Sequence, residues 1–169
     1  MGIATSSDRF GQLYTNELEE LIAVGPAVIY AAEPSLDCGP TFVSPNVEAL
    51  LGYDAASCLG DHKFWINNIH PDDASRIVGQ LSSLHGQDRH ILEYRFRHAD
   101  GSWLWLRDEL NLVRDAAGKP QKVVGYLSDI TERIHARQAL EESRQRFRDF
   151  AEASSDWFWE TDEELSTAE

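Results

Sequence analysis

The four residues Asp129-Ile130-Thr131-Glu132 constrain this chain most, because they join a β-rich segment to a long charged helix. Residues 122–128 have the composition of a strand, and an Asp followed three residues later by Glu is typical of a helix capping box. In such a box the Asp129 carboxylate accepts a hydrogen bond from the Glu132 amide, while the Glu132 side chain reaches back to the Asp129 amide. We therefore predict a direct strand-to-helix junction that passes strain from sheet to helix. An ordinary helix cap is the alternative.

Composition limits the classes of function that fit this chain. Its 169 residues suffice for one domain with flanking helices, and its net charge of −14 opposes binding to nucleic acid or anionic lipid. Cys38 and Cys58 are too few and too far apart for a disulfide framework or a metal site, so we expect reduced thiols and a cytoplasmic location. No apolar stretch approaches membrane-spanning length, so we expect no direct membrane contact.

The first half of the chain alternates short helices with short strands. Residues 1–22 predict an amphipathic helix that ends before Gly25-Pro26, and residues 27–32 and 41–44 predict two short strands. Ser44-Pro45 begins a helix, short helical turns follow, and His70-Pro71 opens a longer helix to about Leu84. The apolar positions of the first helix are Phe10, Leu13, Tyr14, Leu18, Leu21 and Ile22.

The second half changes to strand periodicity. Residues 89–98, 103–114 and 122–128 predict three strands, joined by hairpin turns at 99–101 and 115–120. With the two earlier strands they predict a five-stranded antiparallel sheet with short helices on one face, an α+β fold. Residues 103–106 are apolar on both alternating sides, so we expect a cover on both faces of that strand.

The helix that follows the last strand carries a weak heptad pattern. We predict that it spans residues 132–153 and that its apolar seam joins two copies of the chain in a parallel homodimer. A monomer whose helix folds back on the sheet is the alternative. The seam consists of Ala136, Leu140, Phe147 and Phe150.

The end of the chain resembles its beginning in type. An amphipathic helix, a small-residue break and the aromatic residues 156–159 repeat the order of residues 18–33. We therefore predict that residues 154–169 begin a second domain of the same kind and that the chain is part of a longer multidomain protein. A C-terminal strand that completes the first sheet is the alternative.

The order of elements and a series of short motifs resemble the PAS domain, a small sensory α+β fold. The resemblance covers residues 21–137. The motifs are similar to those of the PAS subgroup whose third-to-last strand leads into Asp-Gly-Ser. The motifs are Val43-Ser44-Pro45-Asn46, Leu51-Gly52-Tyr53, Leu59-Gly60-Asp61, Phe64-Trp65, Ile69-His70-Pro71-Asp72-Asp73, Tyr94-Arg95, Asp100-Gly101-Ser102 with Trp105, and Asp129-Ile130-Thr131-Glu132-Arg133.

The resemblance implies a module that senses or dimerises and then regulates an attached output domain. Residues 23–131 are then the sensor domain, and Asp129, Ile130, Thr131 and Glu132 are the signal relay. The resemblance further implies a histidine kinase or a cyclic-dinucleotide enzyme as the output domain. No catalytic motif appears in the sequence, so we do not expect an enzyme.

PAS domains hold haem, flavin or small metabolites between sheet and helices. Haem is not expected, since no His lies between Asp72 and Leu84 to serve as its axial ligand. A covalent flavin adduct is not expected, because Lys63 stands where the resemblance would place the reactive Cys. A non-covalent flavin or a small metabolite stays open as the ligand. The cavity candidates are Phe64, Trp65, Ile77, Tyr94, Phe96, Trp105 and Tyr126.

The remaining polar residues indicate no metal site and no catalysis. The histidines lack metal-ligand spacing, and we interpret Glu93, Asp108 and Glu109 as partnered charges on the sheet rim.

Two hypotheses about function follow from the sequence as a whole. The chain is either a ligand-responsive sensor or a ligand-free dimerisation and spacing module whose core is filled by its own side chains.

Overall fold

The computed structural model describes residues 17, 18, 20–34, 39–82 and 88–165. Within these residues, five strands form one antiparallel sheet in the order β2-β1-β5-β4-β3. This confirms the predicted five-stranded sheet and α+β class. The strands are β1 (Val28–Ala32), β2 (Pro40–Val43), β3 (Arg89–Arg97), β4 (Trp103–Arg114) and β5 (Pro120–Asp129).

Among the described residues, four helices lie between β2 and β3, and one follows β5. They are α1 (Val47–Leu51), α2 (Ala55–Gly60), α3 (Phe64–Asn68), α4 (Pro71–Ser82) and α5 (Thr131–Leu165). The chain divides into two compact units, Met1–Ile130 and Thr131–Glu169. None of the helices in the described ranges is long and apolar enough to cross a membrane.

The predicted N-terminal helix falls only partly within the described residues. Residues 1–16 and 19 lie outside them, while residues 17, 18 and 20–24 are helical. Cys38 and the last part of the predicted long helix, residues 83–87, also lie outside the described residues.

The core forms where one face of the sheet meets the short helices. Side chains alternate along each strand, so every second residue points into this core. Tyr94 and Phe96 of β3 and Leu106 and Leu110 of β4 are almost completely buried. Val47, Leu51 and Ile77 supply the helical side of the same cluster. The apolar surface removed from water here is the main source of stability for this unit.

The start of α4 is attached to β3 through one carboxylate. Asp73 accepts hydrogen bonds from the backbone amide and from Nε of Arg95, both at 3.0 Å. The amide of His70 donates to the Arg95 carbonyl at 2.8 Å. Because Asp73 is almost fully buried, this charge-assisted pair fixes where α4 begins against the sheet. It gives the His70-Pro71-Asp72-Asp73 motif a structural role.

A second polar cluster ties the start of β1 to the start of α1. The Ser44 hydroxyl accepts from the Ile29 amide at 2.8 Å, and the Asn46 side-chain amide donates to the carbonyls of Gly25 and Ala27 at 2.8 and 2.9 Å. The Asn46 side chain therefore binds the backbone just before β1. Helix α1 begins at Val47, two residues after Pro45, where we expected it to begin.

Helix α5 differs from the prediction at its C-terminal end. We expected the helix to end at residue 153 and a strand at 156–159, but α5 continues to Leu165. The strand prediction is wrong in this structure, because a strand needs a neighbour for its backbone hydrogen bonds, whereas a helix satisfies them within itself. That residues 154–169 begin a second domain stays a prediction.

Gly52 ends α1 in the left-handed region, with φ of 75°. A Cβ at this position would lie 2.8 Å from Cβ of Ala99 in the turn between β3 and β4. The Ala99 amide donates to the Leu51 carbonyl at 2.9 Å, so helix end and turn are in direct contact. Only glycine satisfies both the conformation and the contact.

We predict that Gly52→Ala lowers the free energy of unfolding by about 2–4 kcal/mol, from left-handed strain and overpacking together. Gly118→Ala is the matched control, since Gly118 has φ of 80° but no described heavy atom lies within 4 Å of the place that an added Cβ would take. The control should lose only about 1–2 kcal/mol. Urea unfolding measures both values, and equal losses would contradict the packing argument.

Candidate functional site

A small cavity lies between the sheet and helices α3 and α4. Its volume is about 40 Å³, and its walls are mostly apolar. All five strands contribute residues to its wall. The lining residues are Tyr30, Ala32, Pro40, Val43, Trp65, Ile77, Leu81, Leu92, Tyr94, Asp108, Leu110, Val123 and Leu127.

Asp108 of β4 is the polar centre of this cavity. The Tyr30 hydroxyl donates to its Oδ1 at 2.8 Å, and the Tyr94 hydroxyl donates to its Oδ2 at 3.1 Å. Tyr94 in turn accepts from Nε1 of Trp65 at 2.9 Å. Three strands and one helix therefore meet in a single chain of hydrogen bonds that ends on a buried carboxylate.

Burial dominates the electrostatics of this network. It raises the pKa of Asp108 to about 7, although the hydrogen bonds from Tyr30 and Tyr94 favour the ionised form and lower it in part. Burial, together with the nearby Asp108 charge, raises the pKa of Tyr94 well above its usual range, so this phenol stays protonated. Asp108 therefore changes charge near neutral pH.

The structure brings three of the predicted cavity residues together. Trp65, Ile77 and Tyr94 line the cavity. Phe64 and Phe96 pack beside it: the Phe96 ring lies 4.4 Å from the Trp65 ring and 6.4 Å from the Phe64 ring, centroid to centroid. These two residues support the wall without lining the cavity.

Trp105 and Tyr126 do not belong to the cavity, and the prediction that grouped them with it is wrong. Both project from the opposite face of the sheet, since Trp105 is one residue out of phase with Leu106 and Tyr126 pairs with Glu109. The Arg95 guanidinium lies 5.6 Å from the Trp105 ring centroid, a cation–π contact on that outer face.

We expected the carboxylates of Glu93, Asp108 and Glu109 on the rim of the sheet, and this was wrong for Asp108. Glu109 and Glu93 bind arginines on the outer face: Arg89 lies 2.7 Å and Arg107 2.9 Å from Glu109, and Arg107 lies 3.3 Å from Glu93. Hydrogen bonds from Arg89, Tyr126 and Arg107 lower the pKa of Glu109 to about 2. Asp108, expected on the rim, is buried.

A signal for the position of Asp108 was present in the sequence. Leu106, Leu110 and Leu112 mark the core-facing register of β4, and Asp108 shares that register. A carboxylate in such a register needs hydrogen-bond donors from neighbouring strands. Tyr30 was the donor that the sequence did not identify.

The cavity limits which ligands fit. Sites for drug-sized ligands and cofactors occupy about 300–1,000 Å³, so a flavin does not fit a cavity of about 40 Å³. Trp105, one of the two expected stacking partners of a flavin, lies on the other face of the sheet. Among the described lining residues there is no His or Cys to bind a haem iron. The residues present suit a molecule of only a few atoms.

The predicted relay begins with the last residue of β5, the strand that pairs with β4. Asp129 is the last residue of β5 and pairs with Leu106, and the Ile130 amide donates to the Trp105 carbonyl at 2.8 Å. Helix α5 begins at the next residue, Thr131. One residue therefore separates strand from helix, while the capping box between Asp129 and Glu132 stays a prediction.

The predicted dimer seam is exposed on α5. More than half of the surface of Leu140, Phe147 and Phe150 is accessible to solvent, and Ala136 is exposed as well. At about 100° per residue, these four positions fall within one narrow stripe of the helix. That this stripe joins two copies of the chain stays a prediction.

Comparison with known proteins agrees with this architecture. The sequence matches a family described as PAS fold over residues 40–127. It is 34% identical over 81% of its length to the two-component sensor PprA of Pseudomonas aeruginosa. The chain spans only 13–17% of the length of the curated relatives that it matches.

The chain resembles many solved structures, among them the following two. One is the N-terminal domain of a diguanylate cyclase with PAS/PAC sensor from Marinobacter aquaeolei, with a TM-score of 0.59 and 27% identity over 64% of this chain and 99% of that one. The other is a sensory box histidine kinase/response regulator from Burkholderia thailandensis, with a TM-score of 0.60 and 26% identity over 79% of this chain and 98% of that one.

We predict that stability falls between pH 4 and pH 7 because of Asp108. Its pKa rises from 3.8 in the unfolded chain to about 7 in the folded one, so its contribution is complete below pH 4 and is lost as the pH rises through 7. The loss is at most about 4 kcal/mol. Asp108→Asn should flatten this dependence in urea unfolding between pH 5 and pH 8.

Asp100→Asn is the matched control for this measurement. Hydrogen bonds from Ser102 lower the pKa of Asp100 to about 2, so this exposed group does not titrate between pH 5 and pH 8. The control should keep the wild-type slope over that range. A wild-type slope in Asp108→Asn would show that another group is responsible.

Proposed function

This chain belongs to the PAS fold family, and we propose that it is a sensory and regulatory module of a multidomain bacterial-type signal-transduction protein. A ligand- or dimerisation-dependent signal passes through α5 to an output domain outside this chain. The proposed output is a histidine kinase or a cyclic-dinucleotide enzyme. The named relatives include a two-component sensor, a diguanylate cyclase with PAS/PAC sensor and a histidine kinase, and these names support the proposal.

The observation that carries this proposal is the double role of β4. Asp108 is the polar centre of the cavity, and Trp105, three residues earlier on the same strand, holds the Ile130 amide through its carbonyl. A shift of β4 at the cavity would therefore act on the last residue before α5. A ligand changes the output only if it binds the two signalling states with different affinity.

We further propose that the module acts as a parallel homodimer in the cytoplasm. The exposed apolar stripe of α5 is a surface that a second α5 would cover, as in a short coiled coil. Cys58 is a buried free thiol, which supports a reducing compartment.

A ligand-free dimerisation and spacing module is the second candidate. The small volume of the cavity favours it, because about 40 Å³ leaves little room beside the protein's own side chains. Under this function the apolar stripe of α5 alone sets the state of the output domain.

We predict that Asp129→Ala uncouples sensing from output. The variant is placed in a chimera in which α5 leads into a histidine kinase of known activity, and autophosphorylation is measured. Asp115→Ala is the control, because Asp115 occupies the turn at the other end of β5 and accepts from the Ala117 and Lys119 amides. Regulation should be lost in the first variant and kept in the second, with both folded by circular dichroism. Normal regulation in Asp129→Ala would count against the relay.

We predict that Leu140→Glu shifts the chain from dimer to monomer, since it places a charge in the centre of the apolar stripe. Gln138→Glu makes the same change of charge on the opposite side of the helix and should leave the dimer intact. Analytical ultracentrifugation of the wild type and both variants measures the association constants. A monomeric wild type would remove the dimer from the proposal.

A further inference from the structure

We infer that the Asp108 cavity binds a small primary ammonium ion, an alkylammonium of about three non-hydrogen atoms. The cavity of about 40 Å³ is far smaller than the roughly 300–1,000 Å³ of sites for drug-sized ligands, so a ligand of a few non-hydrogen atoms, such as ethylammonium, matches it. The inference deepens the proposed sensory function by naming a ligand class, and it rests on that function only for its biological role.

The polar centre of the cavity can accept further hydrogen bonds. An ionised carboxylate offers about four acceptor sites, and Tyr30 and Tyr94 donate one hydrogen bond each to Asp108. The Tyr94 hydroxyl uses its proton on Asp108 and also accepts from Trp65. The site therefore favours a ligand that donates, and an ammonium group supplies three donors.

The charge of the site favours a cation. Asp108 is ionisable, and among the described lining residues there is no Lys, Arg or His to compensate its charge. A buried carboxylate without a cationic partner is costly, and a cation that enters the cavity reduces this cost directly. The net charge of −14 also raises the local concentration of small cations around the chain.

The walls of the cavity select for an alkyl group beside the ammonium. Ile77, Leu92 and Leu110 present only hydrocarbon to the space around Asp108. A divalent metal ion prefers six or more oxygen ligands, and the lining offers one carboxylate and two phenols. One end of the ligand is therefore charged and the other apolar.

Ligand affinity should depend on pH through Asp108. The titratable groups that face Asp108 are the phenols Tyr30 and Tyr94, on β1 and β3, which both donate to it. Burial raises the pKa of Tyr94 well above its usual range, so this phenol stays protonated. With a pKa of about 7, the ionised fraction of Asp108 rises about tenfold between pH 6 and pH 8. An alkylammonium keeps its proton over this range, as a lysine side chain does.

The test is a titration of the 169-residue chain with ethylammonium chloride, followed by the methyl NMR signals of Ile77 and Leu110. We expect saturable shifts at both residues and none at Leu140 on α5. The affinity should be about tenfold higher at pH 8 than at pH 6. Asp108→Asn should abolish the shifts while its methyl spectrum stays dispersed.

Ala32→Val is the second variant and covers the case in which Asp108→Asn does not fold. It keeps the carboxylate and adds two methyl groups to the cavity wall, so it should block binding in a well-formed strand. Ethanol tests a neutral molecule of the same size, and potassium chloride tests ionic strength. Saturable shifts at Ile77 and Leu110 with either of these, or none with ethylammonium, would overturn the inference.

The same titration in the kinase chimera separates this inference from the proposed function. Binding to the chain without any change in autophosphorylation would contradict the sensory function and leave the ligand class standing. Output that depends on Asp129 in a protein that does not bind ethylammonium would contradict the ligand class alone.

Discussion

Strand β4 pairs with both β3 and β5, and its side chains alternate between the core and the outer face of the sheet. This alternation places Asp108 in the cavity and its neighbours Arg107 and Glu109 in the ion pairs of the outer face. The backbone of the same strand holds Ile130 before α5. The cavity, the ion pairs of the outer face and the junction with α5 therefore all depend on the register of β4. A shift of this strand by one residue would move its core-facing side chains to the outer face and its outer side chains into the core.

Two adjacent carboxylates on β4 have opposite electrostatic properties because of that register. Glu109 is surrounded by arginines, which hold its pKa near 2, whereas burial raises the pKa of Asp108 to about 7. Glu109 thus remains ionised at every physiological pH and fixes the outer face. Asp108, by contrast, changes its charge near neutral pH.

Several features of the fold could be predicted from the sequence because they depend on local rules. Strand periodicity, turn residues and the His70-Pro71-Asp72-Asp73 motif predicted the elements and their order. In the structure, Asp73 of this motif binds Arg95 and so fixes the start of α4 against the sheet. The cavity was predicted less well. Trp105 and Tyr126 were selected for being aromatic, but the face on which a strand residue lies depends on pairing register, which Tyr126 shares with Glu109. The strand expected at 156–159 depended on neighbours that the described chain does not supply.

Local patterns in the sequence were enough to predict the α+β class, the antiparallel sheet and the direct passage from β5 into a helix, since periodicity and turn chemistry act between near neighbours in the chain. The hydrogen-bond network that joins Asp108 to Tyr30, Trp65 and Tyr94 depends instead on how distant segments pack, and so does the small size of the cavity. Tyr30 and Asp108 are 78 positions apart in the chain. β5 lies between β1 and β4, so Tyr30 reaches Asp108 across Gly125 of β5, where an added Cβ would lie 2.6 Å from the Tyr30 hydroxyl. Such an order of strands is a property of the packed fold.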